Sequence, residues 1–147
     1  MNIPCAIANS LWLASNWPAF LSYRRALQCP AEIQARLLRG YVASNAHTAF
    51  GRVHGFSEIH SCEDFARRVP LSDYEDLSPW IERIRSDEDR TLTAERVTHL
   101  VPTGGSTGGH KLIPFTKILQ REFNRAIGPW ILDLYRCHPS IASGAAS

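Results

Sequence analysis

Between Pro102 and Thr116 the chain reads Pro-Thr-Gly-Gly-Ser-Thr-Gly-Gly-His-Lys-Leu-Ile-Pro-Phe-Thr, a glycine and hydroxyl loop closed by a lysine. Gly104, Gly105, Gly108 and Gly109 let backbone N–H groups turn inward and approach a ligand closely. Thr103, Ser106 and Thr107 add hydroxyl donors, and Lys111 adds a point charge. Donors and a cation in so short a stretch suit the phosphates of a nucleotide.

Spacing tests which kind of phosphate loop this is. A Walker A loop reads Gly-x-x-x-x-Gly-Lys-Ser/Thr and runs directly into a helix whose N-terminus faces the phosphates. Gly104 and Gly109 have that spacing, but His110 occupies the lysine position, Lys111 comes one place late, and Leu112 replaces the magnesium-binding hydroxyl. The next residues, Leu112-Ile113-Pro114-Phe115, are apolar, short and interrupted by proline, which predicts extended chain rather than helix. Upstream, Val97-Thr98-His99-Leu100-Val101 is β-branched and apolar enough for a strand. The expected unit is therefore strand, phosphate loop, strand. On spacing alone the same residues also fit a flexible hairpin linker, since Gly, Ser and Thr form turns readily. His110 has no identifiable partner and reads as a solvent-facing loop residue.

The elements that must position this loop are mostly helical. An apolar run from Ile3 to Ala14 lacks a preceding basic residue, is interrupted by Asn9 and Ser10, and is too short to span a bilayer, so a helix packed on the domain is expected. Pro18 suits the first turn of a helix reaching about Gln28. Pro30 opens another, in which Ile33, Leu37, Leu38, Tyr41 and Val42 return on one face. Gly51 and Gly55 should break the pattern. Ser61 to Asp64 begins a short helix carrying Phe65 and ended by Pro70.

Ser72-Asp73-Tyr74-Glu75 matches a capping box and introduces Leu77, Trp80, Ile81 and Ile84 at helical spacing, as far as about Arg85. Ser86 to Arg90 should be a solvated turn, and Thr93 can cap a brief turn before the first strand. Thr116 can cap a long final helix with Ile118, Leu119, Phe123, Ile127, Ile131, Leu132 and Leu134 on its buried side, kinked or broken at Gly128-Pro129. Tyr74, Trp80, Phe123 and Trp130 read as core aromatics, and Asp76 and Glu82 as helix-surface charges.

Composition narrows the function classes. The chain has 147 residues and a formal net charge of +2, room for one domain with a real core and too little charge to imply nucleic acid. Cys5, Cys29, Cys62 and Cys137 are far apart with no Cys-x-x-Cys pair, which predicts reduced thiols in a cytoplasmic protein. His54, His60 and Cys62 lack the paired clusters of a structural zinc site, so no metal site is expected from them. The final Ser140 to Ser147 reads as an interrupted chain or a frayed tail. Two strands beside about five helices cannot make a sheet covered on both faces, so residues 1–147 are expected to form a single incomplete domain.

The loop resembles the phosphate-binding signature of the acyl-adenylate-forming superfamily, Thr-Ser-Gly-Thr-Thr-Gly-x-Pro-Lys-Gly. It matches at Thr103, Gly105, Thr107, Gly108 and Lys111, with Ser106 keeping a hydroxyl; Gly104, His110 and Leu112 depart from it. Within that superfamily the chain is similar to the auxin-responsive promoter family, the acyl acid amido synthetases and their bacterial relatives. The agreement includes Asn45 to Phe56, Phe65 to Leu77, Ile81 to Ile84 and Lys111 to Thr116, and covers roughly residues 8 to 140. Four separated motifs in order are far more specific than one glycine loop.

The resemblance implies a predominantly helical α/β fold, the N-terminal portion of an adenylate-forming enzyme's large domain. It also implies ATP and Mg2+ as cofactors, with a small-molecule carboxylic acid and an amine or amino acid as substrates. In that chemistry the carboxylate attacks the α-phosphate, pyrophosphate leaves, and the amine takes the acyl group from the adenylate. Thr103, Gly104, Gly105, Ser106, Thr107, Gly108, Gly109 and Lys111 would hold the phosphates, with Ser106 and Thr107 foremost. The family's members are several times longer, so little adenylation is expected of these residues alone, and exposed apolar helix faces should favour self-association. Neither a nucleic-acid nor a membrane partner is expected. Two alternatives stand beside this reading: a truncated, non-catalytic remnant or partner-binding helical module, and, within the superfamily, an acyl-CoA ligase.

Overall fold

A computed structural model describes residues 3–104 and 111–143. Among them the order is α1 (Ile3–Ala26), α2 (Pro30–Asn45), α3 (Ala49–Val53), α4 (Cys62–Arg68), α5 (Tyr74–Arg85), β1 (Val97–Pro102), β2 (Leu112–Thr116) and α6 (Lys117–Cys137). Single 3-10 turns lie at Phe56–Glu58 and Pro139–Ser143. The fold is α/β and predominantly helical, with one two-stranded sheet, as the sequence predicts. The chain divides into two compact units, residues 31–120 and residues 1–30 with 121–147.

In residues 31–120, Val42, Phe56 and Ile59 form a buried cluster, packed by Leu38, Ala46, Phe50, Phe65 and Val69. The Phe50 ring meets Phe56 and Trp80 edge-on, with centroids 5.9 and 5.3 Å away, the geometry aromatic quadrupoles favour. Leu37 and Tyr41, expected on the buried face of α2, are exposed. Only one narrow side of that helix meets the cluster.

Short elements here are held by caps. Thr48 is fully buried; its hydroxyl accepts the Gly51 N–H at 2.9 Å and donates to the Asn45 carbonyl at 2.8 Å. Gly51 therefore does not break a helix but lies buried inside α3, where a Cβ would overlap the Asn45 carbonyl oxygen. Gly55 does break the pattern, with a left-handed φ of 60°. The exposed turn from Ser86 to Arg90 places Asp87 and Arg90 at positive φ and presents the Arg90 and Thr91 carbonyls to the N–H groups of Ala49 and Phe50, at 2.8 and 3.0 Å. Those are donors that a helix start otherwise leaves unpaired. Asn45 Oδ1 then accepts the Ala94 N–H at 2.8 Å. Residues 45–50 thus anchor the chain that leads into β1.

Ser61 and Asp64 form a reciprocal capping box at α4. The box at α5 is one residue later than expected. Asp73 accepts from the Asp76 N–H and Asp76 from the Asp73 N–H, both at 3.1 Å, while the Ser72 hydroxyl turns back to the Pro70 carbonyl. Two overlapping Ser/Asp-x-x-acid patterns compete at this spot. The register with a carboxylate at both positions wins, because each accepts an N–H near the positive helix end.

In the other unit, α1 runs unbroken through Pro18 instead of restarting there and stops at Ala26 rather than Gln28. One turn before the proline, Ser15 Oγ and Asn16 Nδ2 donate to the Trp12 carbonyl at 2.7 and 2.9 Å. The long helix α6 follows Thr116, whose hydroxyl accepts the Leu119 N–H at 3.1 Å, and continues through Gly128-Pro129 without a break. Gly128 serves close approach: a Cβ there would overlap Asn16 Oδ1 on α1. Leu132 and Phe20 are buried, and the Arg136 guanidinium lies 5.1 Å over the Phe20 ring.

The remaining apolar side chains do not converge as the periodicity suggests. Ile3, Ile7 and Leu11 are exposed on α1, while the helix packs against the turn at Pro139–Ser143 through its other side. On α6, Leu119, Phe123 and Leu134 are exposed, as is Trp130, although Phe123 and Trp130 read as core from the sequence. Periodicity shows that a helix has an apolar face but not whether that face is covered. Among the described residues no helix is long and apolar enough to cross a membrane, and all four cysteines are free thiols.

Candidate functional site

The two strands expected on either side of the loop form. β1 and β2 pair antiparallel, with Pro102 opposite Leu112, Val101 opposite Ile113 and Leu100 opposite Pro114. Both prolines are tolerated because a two-stranded sheet has only edges. The register slips between Val97 and His99, where Thr98 Oγ1 donates to the Phe115 carbonyl at 3.0 Å. At the other end, the Thr103 N–H donates to the Lys111 carbonyl at 2.8 Å. That bond closes the base of the loop and brings Thr103 and Lys111, distant in sequence, face to face.

Of the residues expected to hold phosphate, Thr103, Gly104 and Lys111 are described. Gly105, Ser106, Thr107, Gly108 and Gly109 lie outside the described residues, as does His110. Among the described residues, nothing lies within 4 Å of the place a Gly104 side chain would take. The described rim offers a hydroxyl, a glycine backbone and an ammonium group, and no carboxylate of its own. This donor set fits an anion.

Tyr74 is a site neighbour that sequence reasoning missed. It reads as a core aromatic, yet it is the first residue of α5 and reaches β2. Its hydroxyl oxygen accepts the Leu112 N–H at 2.8 Å, and the Lys111 Nζ lies 5.3 Å from its ring centroid. Helical spacing could not reveal this, because the contact depends on α5 meeting β2 across a long stretch of chain. Trp80 does belong to the aromatic cluster through Phe50. Asp76 caps α5 and Glu82 pairs with Arg85, so both carboxylates have structural partners.

The groups whose titration the fold shifts lie in other elements. Asp64 is held below its ordinary carboxylate value by the His60 backbone N–H, then by Ser61 and by the Arg67 guanidinium. Glu88 is lowered by the hydrogen bond from Arg83, whose Nε donates to it at 2.8 Å. A cleft of about 600 Å³ opens beside Arg90, Arg96, Val97 and Lys117, at the opposite end of the strand pair from the loop. His54 Nδ1 sits 3.2 Å from the Arg68 carbonyl, with its ring against Phe50. Among the described residues no cluster of three His, Cys, Asp or Glu side chains could hold a metal ion.

The GH3 family N-terminal domain matches residues 22–145. The chain belongs to the GH3 family. Among GH3 relatives, the rice (Oryza sativa subsp. japonica) protein named "Probable indole-3-acetic acid-amido synthetase GH3.2" is 37% identical over 84 residues, 56% of this chain and 14% of its own length. A second rice relative, the jasmonoyl-L-amino acid synthetase GH3.3, is 31% identical over 90 residues, covering 60% of this chain and 20% of the relative. The solved structure of the AtGH3.15 acyl acid amido synthetase, in complex with 2,4-DB, superposes with a TM-score of 0.70 at 26% identity, over 80% of this chain and 21% of that one. The chain therefore spans about a seventh to a fifth of the length of the GH3 proteins it matches. Its fold is that of the N-terminal region of a GH3 acyl acid amido synthetase.

Proposed function

We propose that this chain supplies the ATP phosphate loop of an acyl-adenylating ligase, one that activates a small carboxylic acid and joins it to an amine or amino acid. The observation that carries the reading is the strand pair closed by the hydrogen bond from the Thr103 N–H to the Lys111 carbonyl, which brings together the two ends of the glycine and hydroxyl sequence in a GH3 chain. The names of the relatives supply the reaction class: one is named an indole-3-acetic acid-amido synthetase and another a jasmonoyl-L-amino acid synthetase.

ATP bound with Mg2+ would supply the adenylyl group and the leaving pyrophosphate. Thr103, Ser106 and Thr107 would donate hydroxyl hydrogen bonds, Gly104, Gly105, Gly108 and Gly109 would present backbone N–H groups, and Lys111 would offset negative charge. Phosphoryl chemistry depends chiefly on such positioning and charge neutralisation. The loop carries no carboxylate, so Mg2+ would come on the phosphates rather than be gripped by the loop. The free thiols agree with a cytoplasmic protein.

The test is binding of MgATP and of magnesium pyrophosphate to the chain, followed by calorimetry. Lys111→Met should weaken both by about tenfold or more, the loss expected for a charge-assisted contact. A wild-type chain that binds neither would sink the reading. Joined to the remaining length of a GH3 protein, the same residues should support acid-dependent exchange of pyrophosphate into ATP, and Lys111→Met should depress that exchange.

A further inference from the structure

Lys111 is the cation of the loop, with a long stem whose freedom must be lost when it meets a phosphate. Three contacts reduce that freedom before any ligand arrives. Its carbonyl accepts the Thr103 N–H at 2.8 Å. The next residue's N–H, that of Leu112, is held by the Tyr74 hydroxyl at 2.8 Å. Its ammonium lies 5.3 Å from the Tyr74 ring centroid, inside the roughly 6 Å reach of a cation–π contact. Tyr74 is itself fixed, as the first residue of α5 immediately after the Asp73 cap.

We propose that Tyr74 is a positioning residue: it pins the strand that leaves the phosphate loop and pre-orients Lys111 toward the anion. The inference rests on the phosphate-loop reading above. One side chain performs both tasks, hydroxyl to backbone and ring to ammonium, so the two are separable by substitution. Tyr74→Phe removes only the hydroxyl; Tyr74→Leu removes the ring as well. Pre-ordering of this kind raises affinity without adding a contact to the ligand.

The experiment measures magnesium pyrophosphate binding to the full chain by calorimetry, with amide hydrogen exchange at Leu112 read by NMR. Tyr74→Phe should speed Leu112 exchange and weaken pyrophosphate slightly. Tyr74→Leu should weaken it by about three- to tenfold, the range of a modest cation–π contact. In a Lys111→Met background Tyr74→Leu should cause no more than the slight loss seen with Tyr74→Phe, because the ring acts only through the Lys111 ammonium.

An equal loss in both backgrounds would overturn the proposal, as would unchanged affinity in Tyr74→Leu alongside a wild-type chain that binds. A wild-type chain that does not bind overturns the phosphate reading and this inference together. Should Tyr74→Leu fail to fold, Tyr74→Phe still decides: unchanged Leu112 exchange shows that the hydroxyl pins nothing and overturns the proposal.

Discussion

Residues 31–120 are built from short elements, each ended by a side-chain cap and tied to a distant loop, as Thr48 and Asn45 tie α3 and the chain before β1. Residues 3–26 and 121–137 contain one helix of 24 residues and most of another of 21, and these meet through Gly128 beside Asn16, Arg136 over Phe20, and buried Leu132. The first arrangement specifies position by hydrogen bonds, residue by residue. The second specifies it by close approach at a few points and leaves wide apolar faces bare. The strand pair that flanks the glycine and hydroxyl loop has the first kind of support, since β1 and β2 both lie in residues 31–120.

The sharpest way to break this comparison uses one glycine from each unit. A Cβ on Gly51 would overlap the backbone carbonyl of Asn45, which cannot swing aside without undoing the end of α2. Gly51→Ala should therefore destabilise residues 31–120 by about 3 kcal/mol, the upper part of the usual overpacking range. A Cβ on Gly128 would overlap only Asn16 Oδ1, the end of a side chain that can rotate at the expense of its hydrogen bond to Trp12. Gly128→Ala should cost about 1 kcal/mol, roughly one hydrogen bond. Urea unfolding monitored by NMR in each unit reads both values, and equal losses would remove the distinction drawn between the units.

That distinction also marks what was legible in the sequence. The start of α4 at Ser61, the Thr116 cap, the solvated turn at residues 86–90 and the strand pair were readable because caps, turns and β-branched runs are local signals. The cap of α5 was readable only to within one residue, since Ser72 and Asp73 offer overlapping boxes. The destinations of Phe123, Trp130 and Leu11 were not readable, because periodicity names a face without naming its cover. Tyr74 escaped for a related reason: its role depends on the meeting of α5 and β2, which no window of sequence contains. Of the loop, the base at Thr103 and Lys111 is seen; the expectation for Gly105 to Gly109 falls outside the described residues.

A pH titration sharpens the same contrast more gently. Asp64 caps α4 and its carboxyl is lowered from the ordinary value of 3.8. A group whose folded value is lowered stabilises the fold fully above its unfolded value, and that contribution is lost as pH falls through the lowered one. Below about pH 4 the amides of α4 should therefore lose protection relative to their intrinsic exchange rates, and Asp64→Asn should flatten the dependence. α1 contains no acidic residue at all, so its amides should show no acid-linked change of their own. An Asp64 carboxyl titrating at or above 3.8 by NMR would contradict the capping geometry.

The smallest effect on stability is expected where the apolar surface is largest. Leu11 is 68% exposed and Phe123 is 62% exposed, so Leu11→Glu and Phe123→Glu should each change unfolding free energy by no more than about 0.5 kcal/mol, as surface substitutions generally do. Exposed apolar residues in such numbers also favour association between chains. Sedimentation velocity should show wild-type chains associating as concentration rises and the Leu11→Glu/Phe123→Glu chain associating less. A loss of stability well above 1 kcal/mol in either single variant would mean that these side chains are buried within the folded chain. The face would then belong to the molecule's own core, and the contrast with residues 31–120 would fail at the point where it matters most.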